Sequence, residues 1–285
     1  MALTVRPITV DDASAAGRIC YDAFKAIAGA HSFPPDFPNA EIATGLMKQL
    51  TGNPAVYGVV AELDGRVAGS NFLYEADPIL GLGPITVDPA AQNAGIGAAL
   101  MRHMLDRAER NHAPGVRLVQ AGYHTRSLCL YTKLGFAARE PLANLQGPPL
   151  GLTLPGCAVR LAVAEDLGAC NRLCRAVHGH ERGHELRDAI GQGSASVVER
   201  GGRISGYATA VAFFGHAVGE SDQDLMALIG AAPSFAGPGF LLPSRNTALF
   251  RWCLDHGLRM VQPMTLMSLG LYNEPQGAFL PSVYF

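Results

Sequence analysis

Charge is scarce in this sequence. Only 16% of its 285 residues are Asp, Glu, Lys or Arg, against about 25% in an ordinary globular domain. Hydrophobic residues reach 48%, which excludes intrinsic disorder, a state that needs few apolar residues and many charges. A basic excess is missing as well, since 22 Lys and Arg stand against 24 Asp and Glu. Nothing steers the chain toward nucleic acid or an anionic membrane, and neither partner is expected. Long apolar runs are absent. The longest, Tyr207 to Phe214, is far below the roughly 20 residues that a membrane span needs. Arg6, Pro7, Asp11 and Asp12 interrupt any signal-peptide core, so the expected compartment is the cytoplasm. The six cysteines (Cys20, Cys129, Cys157, Cys170, Cys174, Cys253) contain no Cys-x-x-Cys pair, which excludes a disulfide scaffold in a cytosolic chain. Cys170 and Cys174 lie at helical spacing among Leu167, Leu173 and Val177 and read as buried thiols rather than a metal pair.

Glycine (33) and proline (19) are plentiful and predict many turns. The length allows one large domain or two small ones, and an internal repeat decides for two. Val5-Arg6-Pro7-Ile8-Thr9-Val10-Asp11-Asp12 returns as Val159-Arg160-Leu161-Ala162-Val163-Ala164-Glu165-Asp166, and Arg18-Ile19-Cys20 as Arg172-Leu173-Cys174. Later, Glu62-Leu63-Asp64-Gly65-Arg66-Val67-Ala68-Gly69 returns as Glu199-Arg200-Gly201-Gly202-Arg203-Ile204-Ser205-Gly206. The expected domains are residues 1–142 and 156–285, joined by a proline-rich linker over 143–155.

In the first copy the pattern predicts strands at 3–7, 55–62, 66–75, 79–87 and 116–121, and a last one after Gly135. Helices are expected at 11–28, 39–51, from 97 to about 112, and at 125–134. The order is that of a mixed α/β sheet. Asp64-Gly65 marks a hairpin. The second copy predicts strands at 157–161, 195–200, 203–213, 216–219 and 259–267, and helices at 165–178, 222–231 and 245–256. Trp252 reads as core, and the C-terminal stretch 272–285 is too apolar for a free tail.

The strongest chemical signal is Ile85-Thr86-Val87-Asp88-Pro89-Ala90-Ala91-Gln92-Asn93-Ala94-Gly95-Ile96-Gly97-Ala98. A strand ends and a helix begins at two glycines spaced by one residue. Glycine admits a ligand close to the backbone, and a helix start offers free N–H groups with the positive dipole end behind them. Together they suit a pyrophosphate. No Gly-Lys-Ser/Thr follows, so this is not a Walker loop, and the G-x-G-x-x-G spacing fails at Leu100.

The Gln-x-x-Gly-x-Gly pattern after Val-Asp-Pro resembles the GNAT N-acetyltransferase superfamily. So does His124-Thr125-Arg126-Ser127-Leu128-Cys129-Leu130-Tyr131-Thr132-Lys133-Leu134-Gly135-Phe136, which is similar to that family's Asn-x-x-Ala-x-x-Leu-Tyr-x-Lys-x-Gly-Phe segment. The resemblance implies two tandem GNAT-like domains, each a mixed, mostly antiparallel sheet flanked by helices, with a degenerate second copy. It implies acetyl-CoA as co-substrate and no metal. Backbone groups of Ile85, Thr86 and Val87 would hold the pantetheine arm. Gln92, Asn93, Ala94, Gly95, Ile96, Gly97 and Ala98 would take the pyrophosphate. Tyr131 would protonate the departing thiolate. The implied reaction is direct acetyl transfer to a primary amine in a ternary complex, with a small-molecule or peptide amine acceptor and a monomeric or homodimeric protein.

The chain departs from the pattern at His124, where the family has Asn, and at Val119, where some relatives carry a glutamate base. Amine deprotonation then falls to His124, Glu75, Asp77 or water. In the second copy the loop is replaced by Val218-Gly219-Glu220-Ser221-Asp222-Gln223-Asp224-Leu225, whose acidic residues repel phosphate, so no second acetyl-CoA site is expected. A non-catalytic acyl-CoA-binding sensor is the alternative function. His180-Glu181-Arg182-Gly183-His184 matches the zinc-hydrolase pattern H-E-x-x-H, but Gly179 and Gly183 break the helix such a site needs, and the segment reads as a solvated loop. Phe33, Pro34, Pro35 and Phe37 form a loop that borders the acceptor in the resembled fold.

Overall fold

A computed structural model describes residues 2–284. The chain divides into two compact units. The first runs to Leu118 and includes His124–Phe136, and the second holds Val119–Tyr123 and everything from Ala137 onward.

The first unit contains β1 (Leu3–Pro7), α1 (Ala13–Ala30), α2 (Ala40–Gly52), β2 (Val56–Leu63), β3 (Arg66–Tyr74), β4 (Ile79–Leu82), β5 (Thr86–Val87), α3 (Ile96–Arg110), the first half of β6 (Gly115–Ala121) and α4 (Thr125–Lys133). Its strands order β1-β2-β3-β4-β6, with β5 paired beside β4 on β3. All neighbours are antiparallel except β4 and β6, which are joined by a crossover through α3, as parallel strands require. The β2–β3 hairpin turns at Asp64 and Gly65, both at positive φ, the geometry of the Asp-Gly turn expected there. Apolar faces of the sheet and of α3 close a core around Val59, Phe72, Leu73, Leu100, Met101 and Met104. The expected strand at 79–87 is interrupted. Gly83 takes φ +133° and Pro84 has no N–H to donate, so pairing stops at Leu82 and resumes at Thr86.

The second unit begins with β7 (Ala137–Gln146), followed by β8 (Ala158–Leu161), α5 (Leu167–His178), α6 (Gly183–Gly191), β9 (Ser196–Arg200), β10 (Arg203–Ala208), β11 (Ala217–Gly219), α7 (Asp222–Ala231), β12 (Phe240–Pro243), α8 (Thr247–Asp255), β13 (Arg259–Gly270) and β14 (Ala278–Leu280). One antiparallel set orders β13-β7-β12 and the other β14-β11-β10-β9-β8. Ala143–Leu145, expected within the linker, ladder with both β12 and β13, and Gln146 pairs with β13. The expected strand at 203–213 stops at Ala208. The apolar tail docks as expected, because β14 pairs with β11 and its three residues are buried; Phe285 lies outside the described residues. Cys170 and Cys174 are buried free thiols, and Trp252 packs on the unit's core.

The two units share construction detail at the repeated positions. Arg6 grips Asp12 at 2.8 and 2.9 Å and Glu62 at 2.7 and 3.0 Å. Arg160 grips Asp166 at 2.6 and 2.9 Å and Glu199 at 2.8 Å. The hairpin turn recurs as Gly201-Gly202, again with both φ positive. Each hairpin also carries a one-residue bulge before its paired glycine, Gly69 opposite Ala61 and Gly206 opposite Val198. The chain is thus a tandem duplication of one α/β design. Among the described residues no helix is long and apolar enough to cross a membrane.

Candidate active site

Ser70 and Thr86 face each other with their hydroxyls 3.1 Å apart, where β5 pairs with β3. A Cβ on Gly69 would lie 2.6 Å from the Thr86 carbonyl oxygen, so glycine is what lets β5 approach. One edge of β5 is laddered to β3. Its other edge has no strand partner among the described residues, which leaves the edge beside Ile85, Thr86 and Val87 suited to an extended ligand.

The chain then leaves the sheet. Asp88 donates its N–H to the Ala68 carbonyl at 2.9 Å, and its carboxylate accepts from the Ala90 N–H at 2.9 Å. After a short turn at Pro89–Ala91, the residues Gln92, Asn93, Ala94 and Gly95 are exposed. Asn93 (φ +70°) and Gly95 (φ +78°) both occupy the left-handed region. Gly95 is the N-cap of α3, and the first turn of that helix holds no acidic residue. The backbone N–H groups that open α3 therefore follow an exposed loop and have no carboxylate among them, an arrangement that accepts an anion. Arg126, near the start of α4, donates to Gln92 at 2.9 Å and Asn93 at 3.0 Å. Both partners are neutral amides, so neither offsets the guanidinium charge beside the loop.

Tyr131 lies on α4, which follows the loop after β6, and is 5% exposed. Burial pushes its phenol up to about 12, with Ser127 acting in the opposite sense by hydrogen bonding to it. His124 is the N-cap residue of α4, but its side chain makes no capping bond to the helix. Instead its Nδ1 lies 2.6 Å from the Ser127 hydroxyl. Burial, then the charges of Arg126 and of His31 at the end of α1, hold its imidazole below the ordinary histidine value. Its neutral form therefore prevails at pH 7.

The other base candidates differ. Glu75 is held by Arg107 in a two-bond ion pair at 2.6 and 2.8 Å. Asp77 is buried, 3.5 Å from the Tyr74 hydroxyl. The sequence pattern identified Tyr131 and His124 but passed over Ser127 and Arg126. The signal for Ser127 was its spacing: residues 124, 127 and 131 share one helical face.

The H-E-x-x-H match is divided by the fold. Gly179 ends α5 in the left-handed conformation, His180 and Glu181 lie in the connection, and His184 is on α6. Glu181 is ion-paired with Arg175. Where a loop was expected, α6 forms because Leu186 and Ala189 bury one face of it. Among the described residues no group of three His, Cys, Asp or Glu is gathered as a metal site.

The profile described as "Acetyltransferase (GNAT) family" matches residues 24–136. No curated protein matches the sequence. Two solved structures share the fold over nearly the whole chain. A protein assigned as an acetyltransferase from Pyrococcus horikoshii is 17% identical with a TM-score of 0.74, covering 97% of this chain and 94% of its own. A GCN5-related N-acetyltransferase from Sphaerobacter thermophilus is 15% identical with a TM-score of 0.61, covering 95% and 96%. The glycine loop lies within the segment that the acetyltransferase family profile matches, and the fold of the whole chain is that of these two structures.

Proposed function

We propose that the protein is an N-acetyltransferase that moves the acetyl group of acetyl-CoA onto a primary amine by direct attack in a ternary complex. The observation that carries this reading is the exposed loop Gln92–Gly95, which enters α3 through two left-handed residues with no acidic side chain at the helix start. Backbone N–H groups of Asn93, Ala94, Gly95, Ile96, Gly97 and Ala98 bind the pyrophosphate, and Gln92 opens the loop. The unladdered edge at Ile85, Thr86 and Val87 binds the pantetheine arm, and an N–H on this edge polarises the thioester carbonyl. Acetyl-CoA supplies the activated acyl group. The neutral imidazole of His124 takes a proton from the amine, and the phenol of Tyr131, protonated at neutral pH, gives one to the leaving thiolate. The acceptor is a small-molecule or peptide amine entering beside His124, on the side where His31 begins the Phe33–Phe37 loop. The second copy has no acetyl-CoA site and serves the fold or the acceptor.

The test is thiol release from acetyl-CoA with spermidine, an aminoglycoside and a dipeptide with a free N-terminus. Tyr131→Phe is expected to lower kcat by about a hundredfold while calorimetry shows unchanged affinity for CoA. CoA binding with no thiol release from any amine would replace the enzyme by the acyl-CoA sensor.

A further inference from the structure

The geometry points to Arg126 as a positioning residue, a latch that holds the loop Gln92–Gly95 in its anion-accepting shape before CoA arrives. This deepens the proposed function and rests on it. Three observations carry it. Gln92 and Asn93 are exposed, and both lean on one guanidinium: Nη1 donates to Gln92 Oε1 at 2.9 Å and Nη2 to Asn93 Oδ1 at 3.0 Å. Asn93 stands at φ +70°, a conformation that side-chain-bearing residues adopt at a cost, and the bond from Nη2 secures it there. Arg126 is also the second residue of α4, in a first turn with no acidic residue, where the helix dipole disfavours a cation. Its exposed side chain adds nothing to the core. The helix itself therefore gives no reason for an arginine at this position, whereas the loop does.

The latch works by order. A slack loop loses conformational freedom when it closes on a ligand, and that loss weakens binding. Here the freedom is lost at folding instead. Helix α4 is seated in the first unit by Tyr131, which is buried, and the guanidinium reaches from that packed helix to a loop whose residues 92–95 are all exposed. Both acceptors are neutral amides, so the hold depends on the planar fork that lysine cannot reproduce. Arg126 acts through Gln92 and Asn93 and not on the reacting atoms. Its contribution therefore falls on the binding of the co-substrate and not on the transfer step.

Three readouts test it, two of them independent of turnover. By calorimetry, Arg126→Ala is expected to weaken CoA about tenfold in Kd, the equivalent of two modest hydrogen bonds. Arg126→Lys keeps the charge without the fork and should lose nearly as much. In the protein without CoA, 15N relaxation should show the backbone order parameters of Asn93 and Gly95 falling from about 0.85 to below about 0.6 in Arg126→Ala. With acetyl-CoA and whichever of spermidine, the aminoglycoside or the dipeptide releases thiol fastest, KM for acetyl-CoA should rise about tenfold while kcat stays within about twofold. Alanine is the better helix former and removes a cation from the positive end of the dipole, so the melting temperature should not fall. Unchanged order parameters in Arg126→Ala would overturn the latch. So would full affinity in Arg126→Lys, which would make the charge itself the partner of the pyrophosphate. A fall in kcat with KM unchanged would also overturn it, because Arg126 would then serve α4 and not the loop. CoA affinity insensitive to Arg126→Ala would remove the latch and leave the acetyltransferase reading standing, whereas a wild-type chain that binds no CoA would remove both.

Discussion

The helices α3 and α7 start at the same place in two copies of one design, and they start in opposite ways. In each copy a short strand pairs with the glycine that follows the hairpin bulge, Val87 opposite Gly69 and Gly219 opposite Gly206. The next N–H closes the same bond, Asp88 to Ala68 and Glu220 to Ser205, both at 2.9 Å. Then the copies part. The first spends residues 88–95 on an exposed loop before α3, whereas the second has only Glu220 and Ser221 before α7. The N-terminus of α7 is filled by the chain itself. Asp224, fully buried, accepts from the Ser221 N–H at 2.9 Å, from the Ser221 and Ser205 hydroxyls at 2.8 and 2.6 Å, and from Arg200 at 3.2 Å. A helix start attracts an anion wherever it occurs. One copy keeps that place open, and the other closes it with a carboxylate of its own.

The largest expected effect comes from opening the closed copy. Asp224→Ala leaves Arg200 and two serine hydroxyls without their acceptor and should destabilise the second unit by about 3 kcal/mol, read by urea unfolding. It should create no CoA site, because the loop is still missing. The converse change closes the open copy. Gly95→Asp places a carboxylate where α3 now has none and should weaken CoA by about 2 kcal/mol, roughly thirtyfold in Kd. Gly95→Asn, which tolerates the left-handed conformation without the charge, should stay within a few-fold. If both variants lose affinity equally, conformation rather than charge separates the copies.

Smaller effects test what the copies have in common. Asp12 and Asp166 are held below the ordinary carboxylate range, chiefly by hydrogen bonds from Arg6 and Arg160. Asp12→Asn and Asp166→Asn should each cost about 1 kcal/mol, since both arginines are partly exposed. The contribution of each carboxylate is present above its unfolded value of about 3.9 and is lost as pH falls through the lower folded value. Unequal losses would mean that the repeated triads do unequal work. The smallest shift is in the pH profile. The acidic limb of kcat/KM that His124 sets should lie below the ordinary histidine value of about 6.5, because burial and two neighbouring charges oppose its protonation.

The repeat was legible because it sits where physical constraint is strongest: an arginine that pairs two carboxylates across a strand and a helix start, and a two-residue turn that only a few residues can make. The Gly-x-Gly loop was legible for the same reason, and so was the face shared by His124 and Tyr131. What the sequence concealed was set by tertiary burial. Helix α6 is short and opens between glycines, and Leu186 and Ala189 stabilise it only once they are packed. The four residues of β12 gain their strand conformation from the ladder with β7. Ser127 looked like one more polar residue on an amphipathic helix until His124 failed to cap that helix.

The most direct measurement is calorimetric titration of the full chain with CoA, before and after Gly95→Asp. The account predicts one site per chain, weakened by that single change in the first copy. Two sites, or a single site whose affinity Gly95→Asp leaves untouched, would contradict it.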